Sequence, residues 1–465
     1  MGGTGFPPVS RSPHRRRIVD AACVGLLLLG THVVYRASTG HVQNCDSVYS
    51  LIVGEKLLTT GSVNLADSFQ SDLPYQLIRR GDPPAVYYGY PLGSTFLSLP
   101  FIEYAKLRRG TSLLDGGVPN TPAENALQLK ITALVCAAIV ALLYILCRFY
   151  CSPMASLLIA AGFAFGSPVW STLARSLWSH TWMVALLSAA LVLLAARRRL
   201  ATATARTDIA CGIALGTLLF LVLFTRMHGI FSAAAIGIYL LLHHRRMLVA
   251  TLLTGSAWSA LLIAISWHEF GTLMPPSVYS AGTIDGRDVA YRFAALMLSP
   301  SRGLLIYCPY VLVAVGILVS GLVAHARMPV PPERRAGLLL PAGIAIASHT
   351  LLLSCYNGWH MGSSYGPRYF ADLLPWFVLL TAVAVRGIQD GIASPWRRKA
   401  AIALLAITFG WGIFVHARGA NSVQAWLWNA RAIAVPYEDA VMDWRHPQFL
   451  AGITFRVQMD GSIKE

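Results

Sequence analysis

The sequence predicts an all-α polytopic membrane protein, with about 11 transmembrane helices and one large polar loop after the first of them. Three observations point to this fold class. The 465-residue chain is 55% hydrophobic and has a mean hydropathy of +0.56. Only 12% of its residues are charged, whereas a soluble domain carries roughly twice that fraction. Apolar runs that can cross a hydrocarbon core of ~30 Å recur along the chain, with basic clusters between them.

The apolar runs are the predicted transmembrane helices, taken here in chain order. A helix needs about 17–25 mostly apolar residues to span a bilayer. The fifth and sixth runs are short and are separated only by Arg226-Met227-His228-Gly229, which makes the count approximate. The predicted spans are residues 18–35, 127–150, 154–170, 181–196, 209–225, 230–242, 247–267, 303–323, 338–355, 369–385 and 401–415.

Basic residues are placed so that they indicate an orientation. Clusters precede the first span and then fall in every second short loop, which is the positive-inside pattern. This pattern places the basic tail of residues 1–17 in the cytoplasm. The loop of residues 36–126, which is part of a transmembrane domain of residues 18–416, then lies outside, and so does the C-terminal segment of residues 417–465. The clusters are Arg11 with Arg15-Arg16-Arg17, then Arg197-Arg198-Arg199, Arg245-Arg246, Arg334-Arg335 and Arg397-Arg398-Lys399.

The net charge of +16 is therefore interpreted as a topological signal, and nucleic acid is excluded as a partner. The first apolar run is too long for a signal peptide and has no small-residue cleavage site after it, so we expect it to remain as a span. The Ala- and Arg-rich composition favours a bacterial inner membrane. Cys45, Cys308 and Cys355 are expected near the outer surface, where a disulfide is permitted, but the sequence does not select a pair.

The loop of residues 36–126 has the pattern of a folded element. Between Arg36 and Glu124 it holds eight of the chain's 21 acidic residues, and loops of this length are usually functional or disordered. Apolar residues at helical spacing predict amphipathic helices near 47–59 and 95–107, which we expect to lie in the membrane interface. Asp46 directly precedes the first of these helices and is placed to cap it.

Short motifs follow one another along the predicted outer face. They are D-x-x-Y from Asp46 to Tyr49, running on to Gly61; Y-x-Y-P-x-G from Tyr88 to Gly93; Thr225-Arg226; Trp267-His268-Glu269-Phe270-Gly271; Ser299-Pro300-Ser301-Arg302-Gly303-Leu304; and Gly358-Trp359 followed by Tyr365-Gly366-Pro367-Arg368-Tyr369. In this order they resemble the GT-C membrane glycosyltransferases that use polyprenyl-phosphate sugars, especially the branch of protein O-mannosyltransferases and aminoarabinose transferases.

The resemblance implies a GT-C-like fold and inverting transfer of a glycosyl group from a polyprenyl-phosphate-linked sugar to an acceptor hydroxyl outside the membrane. The implied partners are that donor, the lipid bilayer, and an acceptor that is a glycan, a lipid or a protein. The resemblance names no certain cofactor and leaves a requirement for a divalent cation open. The sugar, the polyprenol and the acceptor are not specified by the sequence.

Asp46 is the predicted general base. Glycosyl transfer from a lipid phosphate needs a group that takes the proton of the acceptor hydroxyl, and a carboxylate at a membrane-edge cavity can do this. The alternative is that Asp46 only caps the helix after it. Many members of the family have two adjacent acids in this loop, whereas Asp46 is flanked by Cys45 and Ser47. This difference leaves open whether Glu55 assists.

Arg226, Arg302 and Arg368 are the candidates for holding the donor phosphate. Each is placed at a predicted outer membrane boundary, where a charge is costly and often functional. The guanidinium fork can donate two parallel hydrogen bonds to a phosphate. The alternative for each arginine is snorkelling to lipid headgroups. Arg368 also has a predicted local partner in Asp372, one helical turn later.

Eight further residues are candidates for lining the cavity. The histidines show no metal-ligand spacing such as H-x-x-x-H, so no zinc site is predicted. The ordinary alternatives are a solvated face for the lysine, packing for the histidines and an aromatic belt for the tryptophan. The eight candidates are Tyr49, Glu55, Lys56, Tyr90, His180, His228, Trp359 and His360.

Two other classes of membrane protein were weighed. A polysaccharide polymerase or ligase also handles lipid-linked sugars outside the membrane, but such proteins tend to carry their large outer loop in the second half of the chain. A lipid or sugar transporter should show internal repeats and broken helices at the membrane midplane. The sequence shows no internal symmetry, and ionisable residues are nearly absent from the centres of the predicted spans. Both observations favour the transferase.

Overall fold

The protein is described by a computed structural model, which covers residues 13–40, 45–69, 72–81, 84–200, 204–279, 283–325, 337–389 and 394–464. Most of the predicted basic tail and the pair Arg334-Arg335 lie outside these described residues. About 71% of the structure is helical, which confirms the all-α class.

The helices follow one another along the chain with short connections. The α-helices are α1 Pro13–Ala37, α2 Ser50–Thr60, α3 Gly93–Arg109, α4 Thr121–Arg148, α5 Pro153–Phe165, α6 Ser179–Arg199, α7 Ala205–Thr225, α8 Ile230–His243, α9 Arg245–Phe270, α10 Pro276–Tyr279, α11 Val289–Leu298, α12 Leu304–Tyr307, α13 Tyr310–His325, α14 Leu339–Ser354, α15 Leu374–Gln389, α16 Pro395–Asn421, α17 Val423–Leu427, α18 Arg431–Ala434 and α19 Tyr437–Met442. Short π- or 3₁₀-helical segments are Val169–Leu173, Met227–Gly229, Arg368–Leu373, Trp428–Ala430 and Gln448–Leu450.

Three small antiparallel hairpins complete the secondary structure of the described residues. Their strands are β1 Leu77–Arg80 with β2 Ala85–Tyr88, β3 Leu114–Asp115 with β4 Val118–Pro119, and β5 Arg456–Val457 with β6 Ile463–Lys464. In the first hairpin Leu77 pairs with Tyr88, so β2 leads directly into the Tyr90 turn. The sequence analysis did not predict this hairpin.

Seven helices in the described part of the chain are long and apolar enough to cross a membrane. They are Arg17–Ala37, Thr121–Arg148, Ser179–Arg199, Ala205–Thr225, Arg245–Phe270, Arg368–Gln389 and Pro395–Asn421. Shorter apolar helices are Pro153–Phe165, Met227–His243, Val289–Leu298, Tyr310–Ser320 and Leu339–Ser354. The predicted spans all fall on these helices, but the count of eleven is not confirmed.

One predicted span is broken because of a proline. The apolar run 303–323 divides into α12 and α13 at Cys308 and Pro309. Proline disfavours the helical conformation in the residue before it, and Cys308 has φ −131° and ψ 55°. Hydrophobicity therefore located the segment correctly and missed the interruption.

The apolar helices form a bundle with a buried centre. In the apolar windows of α4 and of the segment Arg368–Gln389, 67% and 78% of the residues are buried inside the protein. The corresponding fraction is 17% for α1 and 6% for α9. Since lipid tails cover apolar side chains as well as other helices do, these two outer helices are suited to face the bilayer.

The two ends of the bundle differ in chemistry. At one end Arg148 donates to Asp20 over 2.6 Å, Arg197 donates to Asp208 over 2.7 Å, and Arg386 donates to the Tyr150 carbonyl. These contacts gather loops that carry the basic clusters. The opposite end holds the loop between α1 and α4, the turn after α7 and the segment beyond α16, which contact one another as described below.

The loop after α1 is folded, as its pattern predicted. The two expected amphipathic helices are present as α2 and α3, and they pack closely. A Cβ atom added at Gly54 of α2 would lie 2.5 Å from Cδ1 of Ile102 in α3, so a larger residue there would displace the end of the Ile102 side chain. The pair forms a compact support beside the chain segment that carries Asp46.

Candidate functional site

The carboxylate of Asp46 is held by two side chains from different parts of the chain. Tyr90 donates its hydroxyl to Oδ1 over 3.2 Å, and Arg368 donates Nη1 to Oδ2 over 3.2 Å. Tyr88 donates to the Asp46 carbonyl oxygen. The Asp46 side chain keeps 34% of its surface exposed. The carboxylate is thus fixed in direction but remains open to another molecule.

The predicted capping role of Asp46 is wrong. The residue that precedes α2 is Tyr49, which has a left-handed backbone with φ 76° and makes no side-chain cap. The two oxygens of Glu124 accept from the amide N–H groups of Tyr49 and Leu51, each over 2.8 Å. Glu124, in the first turn of α4, therefore supplies the negative charge that a helix N-terminus favours. Asp46 is left free for the site.

Arg368 contributes a buried guanidinium with unused donor capacity. Only 7% of the residue is exposed, and its carbon Cζ lies 4.4 Å from the ring centre of Trp178 and 5.2 Å from that of Tyr369. Its Nε is buried and has no hydrogen-bond partner among the described residues. Buried donors are nearly always satisfied, so this one points to a missing acceptor.

Arg226 lies against the same aromatic ring. Its Cζ is 5.5 Å from the centre of Tyr369, its Nε donates to Asp372 over 2.7 Å, and its Nη1 donates to Ser179 over 3.2 Å. His180 occupies the other oxygen of Asp372 at 2.6 Å. The structure thus brings Arg226, Arg368 and Asp46 together.

The predicted pairing of Arg368 with Asp372 is wrong for a geometric reason. Residues Arg368–Leu373 form a 3₁₀ helix and not the first turn of an α-helix. With three residues per turn, positions four apart point about 120° away from each other. Arg368 therefore faces Asp46, while Asp372 faces Arg226 and His180.

Arg302 is separated from this group by its own hydrogen bonds. It is completely buried, and a guanidinium has five N–H donors. All five are used within the protein. The acceptors are the carbonyls of His360, Ser301 and Gly362 and the side chains of Gln448 and Asn429, at 2.5–3.2 Å. The expectation that Arg302 holds phosphate is not compatible with this arrangement, because no donor is left.

Three of the outer-loop candidates do not contact Asp46. Glu55 accepts from the Leu113 amide over 2.6 Å, so it anchors the chain after α3. Lys56 forms an exposed ion pair with Asp67. The ring of Tyr49 packs edge-on against Phe69 at 5.3 Å. Tyr90 is the one of these four predicted residues that touches the carboxylate.

The histidine and tryptophan candidates divide into two places. His180 and His228 stack near Tyr369, with ring centres 6.1 Å from it in both cases, so they support the ring that the two arginines share. Trp359 is completely buried, which rules out the expected stacking surface in this structure. His360 stacks on Tyr437 of α19 at 5.1 Å.

Several residues of the site were missed by the sequence analysis. Tyr369 was predicted only as part of a motif and Trp178 was not predicted, although an aromatic ring beside a boundary arginine suits a cation–π contact. Glu124 could have been suspected, since an acid in the first turn of an apolar helix is rare without a role. No sequence pattern indicated Tyr75 as a site residue, because its position near Asp46 depends on the β1–β2 hairpin.

Electrostatics keep the site phenols protonated. Burial, followed by the negative charge of Asp46, raises the pKa of Tyr90, and the same two causes in the same order raise the pKa of Tyr75. A protonated Tyr90 can only donate to Asp46 in the observed geometry. It therefore orients the carboxylate and does not compete for the proton of a bound hydroxyl.

No metal-binding cluster is evident in the described part of the chain, where no three His, Cys, Asp or Glu side chains come together. All eight cysteines are free thiols in the structure, including Cys45, Cys308 and Cys355. The Sγ atom of Cys45, the residue before Asp46, lies 2.9 Å from the hydroxyl oxygen of Ser176 and 3.0 Å from that of Ser47.

Comparison with solved structures shows which fold the chain shares. No protein-family profile matches the sequence, and no curated protein matches it. The oligosaccharyltransferase of Archaeoglobus fulgidus, crystallised with a tethered acceptor peptide, matches with a TM-score of 0.54 and 13% identity over 98% of this chain. Its complex with zinc and sulfate matches with a TM-score of 0.52 and 15% identity over 90% of this chain. The chain has the GT-C fold.

The GT-C fold expected from the motifs is thereby confirmed. This chain spans only 60% and 56% of the lengths of the two oligosaccharyltransferase chains. ArnT from Cupriavidus metallidurans, bound to undecaprenyl phosphate, is also similar, with a TM-score of 0.46 and 14% identity over 94% of this chain and 76% of that one.

Proposed function

We propose that this protein is a glycosyltransferase that moves a glycosyl group from a polyprenyl-phosphate-linked sugar to an acceptor hydroxyl. The observation that carries the proposal is the ion pair of Asp46 with Arg368, which lies beside a second arginine, Arg226. The buried Nε of Arg368 has no hydrogen-bond partner within the part of the chain that the structure describes. Attack on a phosphate-linked carbon requires a solvent-accessible base for the acceptor hydroxyl and cations for the phosphate. The partly exposed Asp46 carboxylate and the neighbouring guanidinium groups supply them.

The chemical step can be assigned to atoms of the site. Asp46 accepts the proton of the acceptor hydroxyl as the hydroxyl oxygen bonds to the anomeric carbon. The bond between that carbon and the phosphate oxygen breaks, and its electron pair leaves with the polyprenyl phosphate. Attack opposite the leaving group inverts the configuration and needs no covalent enzyme intermediate.

Arg368 and Arg226 are assigned to the phosphate. Negative charge grows on the leaving phosphate as the bond breaks, and fixed cations in a partly dry site stabilise that charge strongly. Both guanidinium groups lie within 5.5 Å of the centre of the Tyr369 ring. We assign both groups to one bound phosphate. The sulfate named in one of the similar oligosaccharyltransferase structures is a tetrahedral anion like phosphate.

The proposed orientation puts this site on the extracytoplasmic face. The opposite end of the bundle holds Arg148, Arg197 and Arg386, each in the last turn of its helix, and basic segments next to membrane spans remain in the cytoplasm. We assign the membrane as the bacterial inner membrane because of the Ala- and Arg-rich composition. The donor lipid reaches the site from the outer leaflet, and the acceptor arrives from outside.

The test compares wild type with Asp46→Asn on a panel of radiolabelled polyprenyl-phosphate sugars. The amide is close in size to the carboxylate and its one oxygen can still accept from Tyr90, but it loses the bond from Arg368 and cannot take a proton. We expect transfer to fall by about 10²–10⁴-fold, the usual value of general-base catalysis. Asp67→Asn is the matched control, since Asp67 lies in the same loop, is exposed and pairs with Lys56 instead of Arg368.

Equal transfer by wild type and Asp46→Asn would remove Asp46 as the base. Absence of transfer from every lipid-phosphate sugar by the wild type would contradict the proposed activity itself. The thermal unfolding temperature of each variant, measured in the same detergent, separates loss of chemistry from loss of fold.

A further inference from the structure

The chain segment before Arg368 has no regular secondary structure of its own. Residues 355–367 connect α14 to the 3₁₀ helix that begins at Arg368, and they form only turns, bends and an isolated bridge. The direction of the Arg368 side chain therefore depends on what holds this segment. We call residues 360–366 the Arg368 approach loop.

Gln448 of the C-terminal segment holds one part of the approach loop. It is completely buried. Its Oε1 accepts from the Gly366 amide over 3.2 Å and from Arg302 over 2.5 Å, and its Nε2 donates to the carbonyls of Ser364 and Ala425 over 2.9 and 3.0 Å. A side-chain amide has two donors and one acceptor oxygen with two lone pairs. Every one of these capacities is used, and two of them are used on the approach loop.

Arg302 holds the other part of the approach loop. Its Nε and Nη2 donate to the carbonyls of His360 and Gly362 over 3.0 and 3.1 Å, while its Nη1 donates to Gln448. Arg302 and Gln448 thus fasten positions 360, 362, 364 and 366 from the same side. This explains why an arginine that is absent from the phosphate site is nevertheless buried close to it.

The fastened loop transmits this geometry to Arg368 through the backbone. The Arg368 amide donates to the Gly366 carbonyl over 2.9 Å. Gly366 has φ +58°, and a Cβ atom there would lie 2.8 Å from the ring of Tyr307. Its conformation therefore tolerates only glycine, and a shift of the loop has little room to be absorbed before Arg368.

We propose that Gln448 is a positioning residue for Arg368, so that the C-terminal segment sets the geometry of the phosphate-binding arginine. This inference rests on the proposed function for its consequence in transfer, but the fastening of the loop is independent of it. Gln448 does not touch the reacting atoms.

The experiment uses the full-length protein and two readouts. Hydrogen–deuterium exchange of residues 360–368 measures the fastening, whether or not the protein is a transferase. We expect faster exchange there in Gln448→Ala. The matched control is Gln424→Ala, because Gln424 lies in the same segment and its side-chain amide bonds with the backbone of Val457, away from the approach loop. This control should leave the exchange of 360–368 and the transfer rate at wild-type values.

The second readout is transfer in a double-mutant cycle with Arg368→Lys, which keeps the charge but loses the fork. Gln448→Ala should lower transfer roughly tenfold in the wild-type background, since small misplacements of a positioning group are costly. In the Arg368→Lys background it should lower transfer less than about twofold, because residues that act through one another are not additive. Gln448→Glu, which still accepts from Arg302 and Gly366, should lie between wild type and Gln448→Ala and guards against a folding failure.

Unchanged exchange of 360–368 in Gln448→Ala would overturn the proposal, as would an equal fold loss of transfer in both backgrounds. A wild type that transfers nothing would instead contradict the proposed function, and the exchange readout would still decide the fastening.

Discussion

The segment before α2 involves two carboxylates with different roles, its own Asp46 and Glu124 of α4. Asp46 points to Arg368 and Tyr90, while Glu124 accepts the amide N–H groups that begin the helix. Tyr49, between them, has φ 76°, a conformation that costs about 1–3 kcal/mol for a residue with a side chain. The bonds to Glu124 compensate this strain and hold the turn that presents Asp46.

Replacement of Glu124 should therefore affect stability and transfer together. Glu124→Ala leaves the amides of Tyr49 and Leu51 without acceptors, at about 1–3 kcal/mol for each buried group. We expect a lower unfolding temperature and a loss of transfer. Glu55→Ala is the matched control. Glu55 is also a buried carboxylate that accepts from a backbone amide, that of Leu113, but this bond lies outside the site.

Glu55→Ala should lower the unfolding temperature to a similar degree but leave transfer, measured below that temperature, close to wild type. If the two variants transferred equally well at matched folded fractions, the role of Glu124 in presenting Asp46 would be refuted.

At the scale of elements, the helix pair α7 and α9 sets the position of Arg226. Gly212 and Gly216 on α7 are four residues apart and face α9, where added Cβ atoms would lie 2.6 Å from the Met247 carbonyl and 2.5 Å from the Thr251 carbonyl. Small residues at this spacing let two membrane helices approach closely. Since Arg226 directly follows α7, the packing of this pair fixes one of the two proposed phosphate ligands.

Gly216→Ala should separate α7 from α9. Overpacking of a close contact costs about 1–3 kcal/mol, so we expect a lower unfolding temperature in detergent. Gly237→Ala in α8 is the control, because nothing lies within 4 Å of a Cβ atom there. Alanine in that helix should be neutral or slightly stabilising. An unchanged unfolding temperature in Gly216→Ala would show that the helices separate without cost.

At the scale of the whole molecule, the two ends of the helix bundle differ in chemistry, and this difference agrees with the orientation predicted from the basic clusters. One end carries the arginine-rich loops, and the other carries the site together with the C-terminal segment. The C-terminal segment is part of that end and not a loose tail, since Trp428 and Gln448 are completely buried. Folding this segment against the bundle completes the surroundings of Arg302 and the approach loop.

Reporter fusions test the orientation. Alkaline phosphatase is active only outside the cytoplasm, so a fusion at the C-terminus should be active in a bacterial host. A fusion after Arg199, in the basic loop that follows α6, should be inactive. Green fluorescent protein at the same two positions is the complementary control and should fluoresce only after Arg199. The reversed pattern would place the site in the cytoplasm and contradict the proposed donor.

Hydrophobicity and charge alone were sufficient for the class of the protein. Lipid imposes long apolar helices, so α1, α4, α6, α7 and α9 are visible as runs of residues in the sequence. The basic clusters give an orientation for the same reason, since charge near a membrane is asymmetric. The motif order added the GT-C resemblance, which the fold comparison confirmed, and it singled out Asp46, Arg226 and Arg368 for the same site.

Only the tertiary structure decided how those residues are paired. Sequence spacing assumed an α-helix at Arg368 and an aspartate cap before α2, whereas a 3₁₀ helix and the distant Glu124 changed both partners. Arg302 looked like Arg226 in sequence, but five hydrogen bonds within the protein, four of them to groups at least 58 residues away, give it a different role. The spacing of apolar residues along the sequence indicates which segments form helices and which of them contact lipid. Which donors remain unused depends on contacts between segments hundreds of residues apart, and these exist only in the folded chain.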